Sequence, residues 1–439
     1  MMSRGAEDLH QAAELGDIEA QVALGQMYEN GLDGVENDAE AAHWYFIAAE
    51  RGHVVAQFSL GYMFARGRGV PKDYEESVKW FSNAANQGYA DAQYILGLMY
   101  ENGQGVPNDL TEAVNWYYKA AEQSDIKAQL RLAHIYSNGP SAYIDDIEAA
   151  SWYHKAAEQG DAGAKYELGL MYSQGRGVAQ DYGISIYWYR LSAEHQDKRA
   201  QYALGLMHAS GRGVPKDYAQ AEMWWRRAAD QGHPKAQFAL GNMYEHGYGV
   251  ERDVVQAVGW YQRAAEDGDA EAQRTLGFMY CNGTGISKDY TLAIKWFGLA
   301  AEQGDSKAKY NLGLMYKNAQ GVDPDIGKAI QMFKDAADDG LAAAEYSYAI
   351  MHYDGLGVPQ DYEEALIWFK KSAEHGYASA QLMLGFIYYS GHGVAKNYFE
   401  ALVWVDRAAA RGEGHAPELR KAIEARMAVE RMAASHRGN

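Results

Sequence analysis

One cysteine, Cys281, serves a chain of 439 residues. An internal disulfide framework and a cysteine-rich zinc site are thereby excluded. Basic residues are outnumbered, 40 Lys and Arg against 59 Asp and Glu, for a net charge of −19. That balance argues against nucleic-acid binding driven by phosphate neutralisation. No run of 18 apolar residues occurs, so no membrane-spanning helix is expected. The fourteen histidines include neither His-x-x-x-His nor His-Glu-x-x-His, which leaves no helical metal-ligand pair and no cofactor to expect. The opening MMSRGAEDLH lacks the basic-then-apolar build of a secretory leader. A cytoplasmic location is therefore the expectation, or export if a leader has been removed. With 48% hydrophobic and 13% aromatic residues, disorder is excluded as well.

What the sequence has is a period. Leu-Gly recurs every 36 residues, at Leu24-Gly25, Leu60-Gly61, Leu96-Gly97, Leu168-Gly169 and onward to Leu384-Gly385. Leu132-Ala133 and Tyr348-Ala349 fill the two remaining slots, and one alanine row, Ala20 to Ala380, holds in all eleven. Eleven units thus occupy residues 17–412. Residues 1–16 read as a capping half-unit, and 413–439 as a capping helix and tail. In the third unit Ala92, Leu96 and Tyr100 mark one face of a helix, and Gly103-Gln-Gly-Val-Pro107 breaks it. Asp109 is placed to cap a second helix carrying Ala113, Trp116, Tyr117 and Ala120 inward. The pattern predicts an all-α fold, an α-solenoid of about eleven helix–turn–helix repeats. In the C-terminal helix Leu419, Ile423, Met427 and Met432 are expected inward. The recurrent mid-helix glycine implies that a neighbouring helix approaches the backbone there, and the Trp44 row is the expected neighbour. Regular Trp and Met rows read as core, and so do His208 and His352 in the Tyr28 slot.

Units such as Ala92 to Gln123, AQYILGLMYENGQGVPNDLTEAVNWYYKAAEQ, resemble the Sel1-like repeat, a subclass of the tetratricopeptide-like superhelix. The resemblance covers about nine-tenths of the chain. It implies a right-handed superhelix, a non-catalytic adaptor role, and a concave wall lined by first helices. A cysteine-rich branch of that family staples each repeat with a disulfide, and this chain, with Cys281 alone, departs from it.

Candidate chemistry yields to simpler readings. Gly-x-Gly-Val-Pro-Lys-Asp-Tyr at Gly67 to Tyr74 lacks the preceding strand and the Gly-Lys-Ser/Thr ending of a phosphate loop. Ser124-Asp-Ile-Lys127 stands without a Lys-Thr-Gly and fills a glycine-turn slot. The row Glu122, Glu158, Glu194 and onward is expected to be a solvated edge supporting Lys119, Lys155 and Arg263. Cys281 is expected on an outer face. No enzyme is expected. Two rows on the first helices face away from the Ala20–Leu24 stripe. One is largely aromatic, with Tyr94, Tyr166, Tyr202 and Phe238. The other contains Tyr62, Leu98, Leu170, Leu206 and Phe278, with Asn102 and Asn138 along its rim. Two readings stay open: packing between neighbouring helices, or an apolar groove for a peptide or protein partner. Aromatic rows with Asn neighbours would also suit a cell-wall or exopolysaccharide glycan. The drift at Ala319, Met332, Tyr348-Ala349 and His352 marks a second candidate, neutral or functional.

Overall fold

A computed structural model describes residues 4–31 and 37–437, with side chains placed for 7–31 and 37–433. Among these residues there are 24 α-helices and no strand. The chain forms two compact units, Met1–Lys216 and Asp217–Asn439. Within each, every helix packs against the one before it and the one after it.

The repeat dictates where helices start and stop. Asp109 caps Leu110–Glu122 by accepting from the amides of Thr111 and Glu112. Asp161 caps Ala162–Gln174 through the amide of Ala164, 2.7 Å away. Both satisfy donors that the first turn leaves without partners. First helices end on a left-handed residue such as Gly103, φ 67°, whose N–H bonds Met99 O. Ala319 holds this backbone without being glycine, at φ 54°, and the helix before it is one residue short, Ser306–Lys317. A left-handed Cβ costs about 1–2 kcal/mol. Ala319→Gly should therefore raise stability by about 1 kcal/mol, read as a higher urea midpoint at unchanged slope.

The alanine and Leu rows are buried as expected, and so are the Met row and most tryptophans, Trp152 among them. His208 is buried in the tyrosine slot. The neighbour of the mid-helix glycine is a different residue from the one expected. A Cβ on Gly25 would stand 2.6 Å from the ring of Tyr45, and one on Gly97 equally close to Tyr117. The side chain that needs the glycine is therefore the residue after the tryptophan slot, a ring at Tyr45 and Tyr117 and Val405 in the last repeat. The tryptophan itself faces the preceding repeat, as Phe46 against Trp80 shows, with ring centroids 5.8 Å apart.

Consecutive repeats are stapled by pairs thirty residues apart. Buried Gln93 donates to Ala85 O, a carbonyl in the last turn of a helix that also accepts from Gly88 N, and accepts from Gln123 at 2.8 Å. Gln57 with Gln87, Gln129 with Gln159, and Gln273 with Gln303 repeat the arrangement. In two repeats where the first member changes, the second changes to match: Lys309 meets Asp339 at 2.7 Å and Glu345 meets His375 at 2.9 Å, whereas Lys165 donates instead to Gly160 O at 3.2 Å. A second series joins several of the loops to the preceding repeat. Arg68 bonds Asp38, Arg176 bonds Asp146, and His392 stacks on Tyr362.

At the ends, Arg4–Glu14 buries Ala13, which receives a hydrogen bond at its carbonyl from Gln21. Ala416–Arg437 buries Ile423, with Leu419 and Met427 packed beside it. Met432, expected inward, is 66% exposed.

Candidate binding surface

The two outward rows of the first helices behave differently. Rings of the aromatic row pack onto the second helix of their own repeat. Tyr94 meets Tyr117 at 5.7 Å between centroids, Tyr166 meets Tyr189 at 5.8 Å, and Phe238 meets Tyr261 at 5.3 Å. All three are half-buried, as is Tyr202. Arg199 places its guanidinium 4.3 Å from the centre of the Tyr166 ring, covering it further. The other row stands out. Tyr62, Leu206 and Phe278 are exposed at 41%, 44% and 39%, with Leu98 and Leu170 half-buried between them in sequence. Asn102 and Asn138 are exposed, but their amide groups are already engaged. Asn102 donates to Leu98 O on its own helix and Asn138 to Ser137 Oγ.

A rule governs the floor beneath this row. Where the ring after the tryptophan is Tyr, the first helix of its repeat supplies an acceptor. Tyr45 donates to Glu29 at 2.8 Å, Tyr117 to Glu101 at 2.6 Å, and Tyr261 to Glu245 at 2.6 Å. Arg131 from the next repeat closes on Glu101 through Nε at 2.9 Å. Burial opposes charge on Glu101, yet its bonds from Arg131 and Tyr117 win and hold the carboxyl below its usual range. In the second repeat the ring is Phe81 and the facing residue Ala65; in the eighth they are Phe297 and Cys281. With no hydroxyl and no carboxylate, the gap to the next first helix stays open.

Both gaps are clefts, of about 370 Å³ and 340 Å³. Their linings correspond position by position across 216 residues of sequence. Tyr62, Phe81, Leu98 and Met99 wall the first; Phe278, Phe297, Leu314 and Met315 wall the second. Lys72 and Lys288 stand at corresponding places, each ammonium over the next tyrosine ring, Tyr74 at 4.7 Å and Tyr290 at 4.6 Å. Of the predicted residues, then, Tyr62 and Leu98 meet in one cleft and Phe278 lines the other. Cys281, expected on an outer face, lies in the second cleft, its Sγ 4.0 Å from Met315 Sδ, and burial pushes its thiol up.

Other candidate chemistry dissolves into packing. Glu122, Glu158 and Glu194 are exposed, as expected of an edge. Lys119, Lys155 and Arg263 turn instead onto Trp116, Trp152 and Trp260, at 3.6, 3.8 and 4.8 Å. Tyr348 is buried edge-on to His352 and Trp368, so the drift in that region accommodates a larger ring inside the core. Among the described residues no group of three His, Cys, Asp or Glu is placed to hold a metal, and no helix is long and apolar enough to cross a membrane.

The Sel1 repeat profile matches eleven consecutive segments, from 18–53 through 198–233 to 378–413. The chain belongs to the Sel1 repeat family. Its helix pairs align with a solved structure of c5321, described as a protective antigen of uropathogenic Escherichia coli with an SLR fold. Identity is 38%, over 96% of this chain and 90% of that one, with a TM-score of 0.69. A Sel1 repeat protein from Oxalobacter formigenes is 36% identical, over 71% of this chain and 90% of its own, with a TM-score of 0.62. No curated protein matched the sequence. Sel1 repeat proteins are generally non-catalytic scaffolds of the kind that mediate protein–protein interaction, and the α-solenoid class read from the period holds. Sequence reasoning named the exposed row of this Sel1 array but missed the clefts beneath it. The signal lay in two slots sixteen residues apart: Tyr stands with Glu or Ser, whereas Phe81 and Phe297 stand with the small Ala65 and Cys281, and Phe333 and Phe369 stand with the larger Lys317 and Tyr353.

Proposed function

We propose that this Sel1 repeat protein is a non-catalytic adaptor that holds a peptide segment of another protein on its first-helix face. The observation that supports this reading is the set of exposed apolar positions Tyr62, Leu206, Phe278 and Phe386, of which Tyr62 and Phe278 wall side-chain-sized clefts. Large apolar side chains left in solvent at recurring, rigidly held positions are the anchor points that helix-lined peptide sites use. The aromatic row, already packed, serves as their support.

The test is a chain in which Tyr62, Leu206, Phe278 and Phe386 are all serine. Exposed substitutions of this kind shift stability by about 0.5 kcal/mol or less each, so helicity and melting should stay near those of the parent. Proteins of the source organism retained by the immobilised parent should be absent from the variant. Retention of the same proteins by both would remove the first-helix face from consideration. Retention of a cell-wall or exopolysaccharide fragment with no protein would replace the peptide reading with a glycan one.

A further inference from the structure

The two clefts share a charge feature that the rest of the chain does not. In a protein of net charge −19, no lining residue of either cleft is acidic, and each cleft has a lysine at the same place. Neither Lys72 nor Lys288 forms an ion pair among the described residues; each rests on a tyrosine face that holds it at the cleft. Arg66 adds a second cation to the first cleft, where it contacts the ring and hydroxyl of Tyr62. Lysine, tyrosine, phenylalanine and the loop glutamine, Gln104 or Gln320, coincide in no other repeat. The volumes lie at the small end for ligand pockets, which suits one side chain better than a cofactor.

We propose that each cleft receives one large apolar side chain, phenylalanine- or leucine-sized, of a partner peptide in which a neighbouring carboxylate is held by Lys72 or Lys288. The walls supply apolar burial through Leu98 and Met99, or Leu314 and Met315. The ammonium exchanges a weak contact with a ring for a charge-assisted hydrogen bond to the carboxylate. This rests on the peptide reading above and narrows it to an acidic–apolar motif.

The experiment titrates the full chain against a fluorescein-labelled heptapeptide, GSEFDSG, by anisotropy up to millimolar peptide. Its amide analogue, GSQFNSG, and its truncated analogue, GSEADSG, serve as comparisons. The acidic peptide should bind about tenfold more tightly than either analogue, the scale of one charge-assisted bond or one buried ring. Substituting both Lys72→Met and Lys288→Met, which keeps the apolar stems, should bring the acidic peptide down to the affinity of the amide analogue. Cys281 supplies an independent readout as the one thiol of the chain. Saturating acidic peptide should slow its alkylation by iodoacetamide severalfold, and Ala65→Cys should report the first cleft likewise. Equal binding of acid and amide peptides, undiminished binding by the lysine variant, or unprotected Cys281 at saturation would each overturn the proposal. So would absence of binding by GSEFDSG. If these fail while the four-serine variant still loses its protein, the adaptor reading stands and only the acidic motif falls.

Discussion

Replacing Gly177 with alanine should destabilise the first unit by roughly 3 kcal/mol or more and split its unfolding into two steps. Gly177 is the second glycine of a Gly-x-Gly loop, at φ 65°. An added Cβ would stand 1.9 Å from Asp146 O and 2.8 Å from Ile147 N, backbone atoms that open the second helix of the preceding repeat. Nothing flexible can yield there, so the repeats must part. Overpacking costs about 1–3 kcal/mol and the left-handed Cβ about 1–2 more. Parting the repeats also breaks the Arg176–Asp146 pair, 2.7 Å long and built on the same loop. In a linear array, stability is a sum of repeat and nearest-neighbour terms, so weakening one interface lets the two sides melt apart.

Gly160→Ala separates the steric effect from the backbone one. Gly160 has φ 104°, and a Cβ added there would meet no atom within 4 Å. Ser124 and Gln196 occupy the matching slot at positive φ. The substitution should cost only about 1 kcal/mol and leave a single transition. Urea unfolding followed by circular dichroism decides the matter. Equal costs at the two glycines would show that the loop serves local turn geometry and does not set the distance between repeats.

This contrast also shows what the sequence alone makes legible. The period, the helix boundaries and the buried rows were legible, because a slot repeated eleven times averages away the noise of any one unit. Asp109 and Gly103 act as cap and stop because those residue types have few other uses at a helix end. What escaped was relational. Periodicity points to the tryptophan row as the neighbour of Gly97, although the ring against it is Tyr117, one residue further along. A shift of 100° around a helix separates the two, and periodicity alone does not fix which face meets which neighbour. The Gln93–Gln123 staple escaped because each row looks like an ordinary polar surface; only the matched changes to Lys309 with Asp339 and Glu345 with His375 betray contact. The clefts escaped for the same reason: Phe81 and Ala65 are ordinary residues apart and form an opening together.

Changing Tyr45, Tyr117, Tyr189 and Tyr261 to phenylalanine should weaken the protein at pH 7 and strengthen it above pH 11. All four rings are buried, and their hydroxyls are held un-ionised there. Burial is the largest cause, and for Tyr45, Tyr117 and Tyr261 the carboxylates of Glu29, Glu101 and Glu245 push the same way. Tyr189 is pushed up to about 12 from 10.0, chiefly by burial, with Ser173 and Ser185 opposing. A phenol whose folded pKa lies above its unfolded value adds stability that is intact below pH 10. Above that, the unfolded chain releases its proton while the folded chain cannot, and the advantage drains away up to the folded pKa. For Tyr189 that amounts to roughly 2–3 kcal/mol by pH 12. The other three are raised in the same direction and lose theirs over the same window. At pH 7 the phenylalanines at 45, 117 and 261 each forfeit a hydrogen bond to a carboxylate, at about 1 kcal/mol apiece. Shape is no obstacle, because Phe81, Phe297, Phe333 and Phe369 fill the slot in other repeats. The stability curves of parent and variant should therefore cross between pH 10 and 12. Helicity against pH, followed together with tyrosinate absorbance, tests this. In the parent, the last tyrosines should ionise only as the helices melt. Curves that run parallel to pH 12 would mean these hydroxyls titrate in the folded state, and that the Tyr–Glu pairs do not seal the floor of the first-helix face.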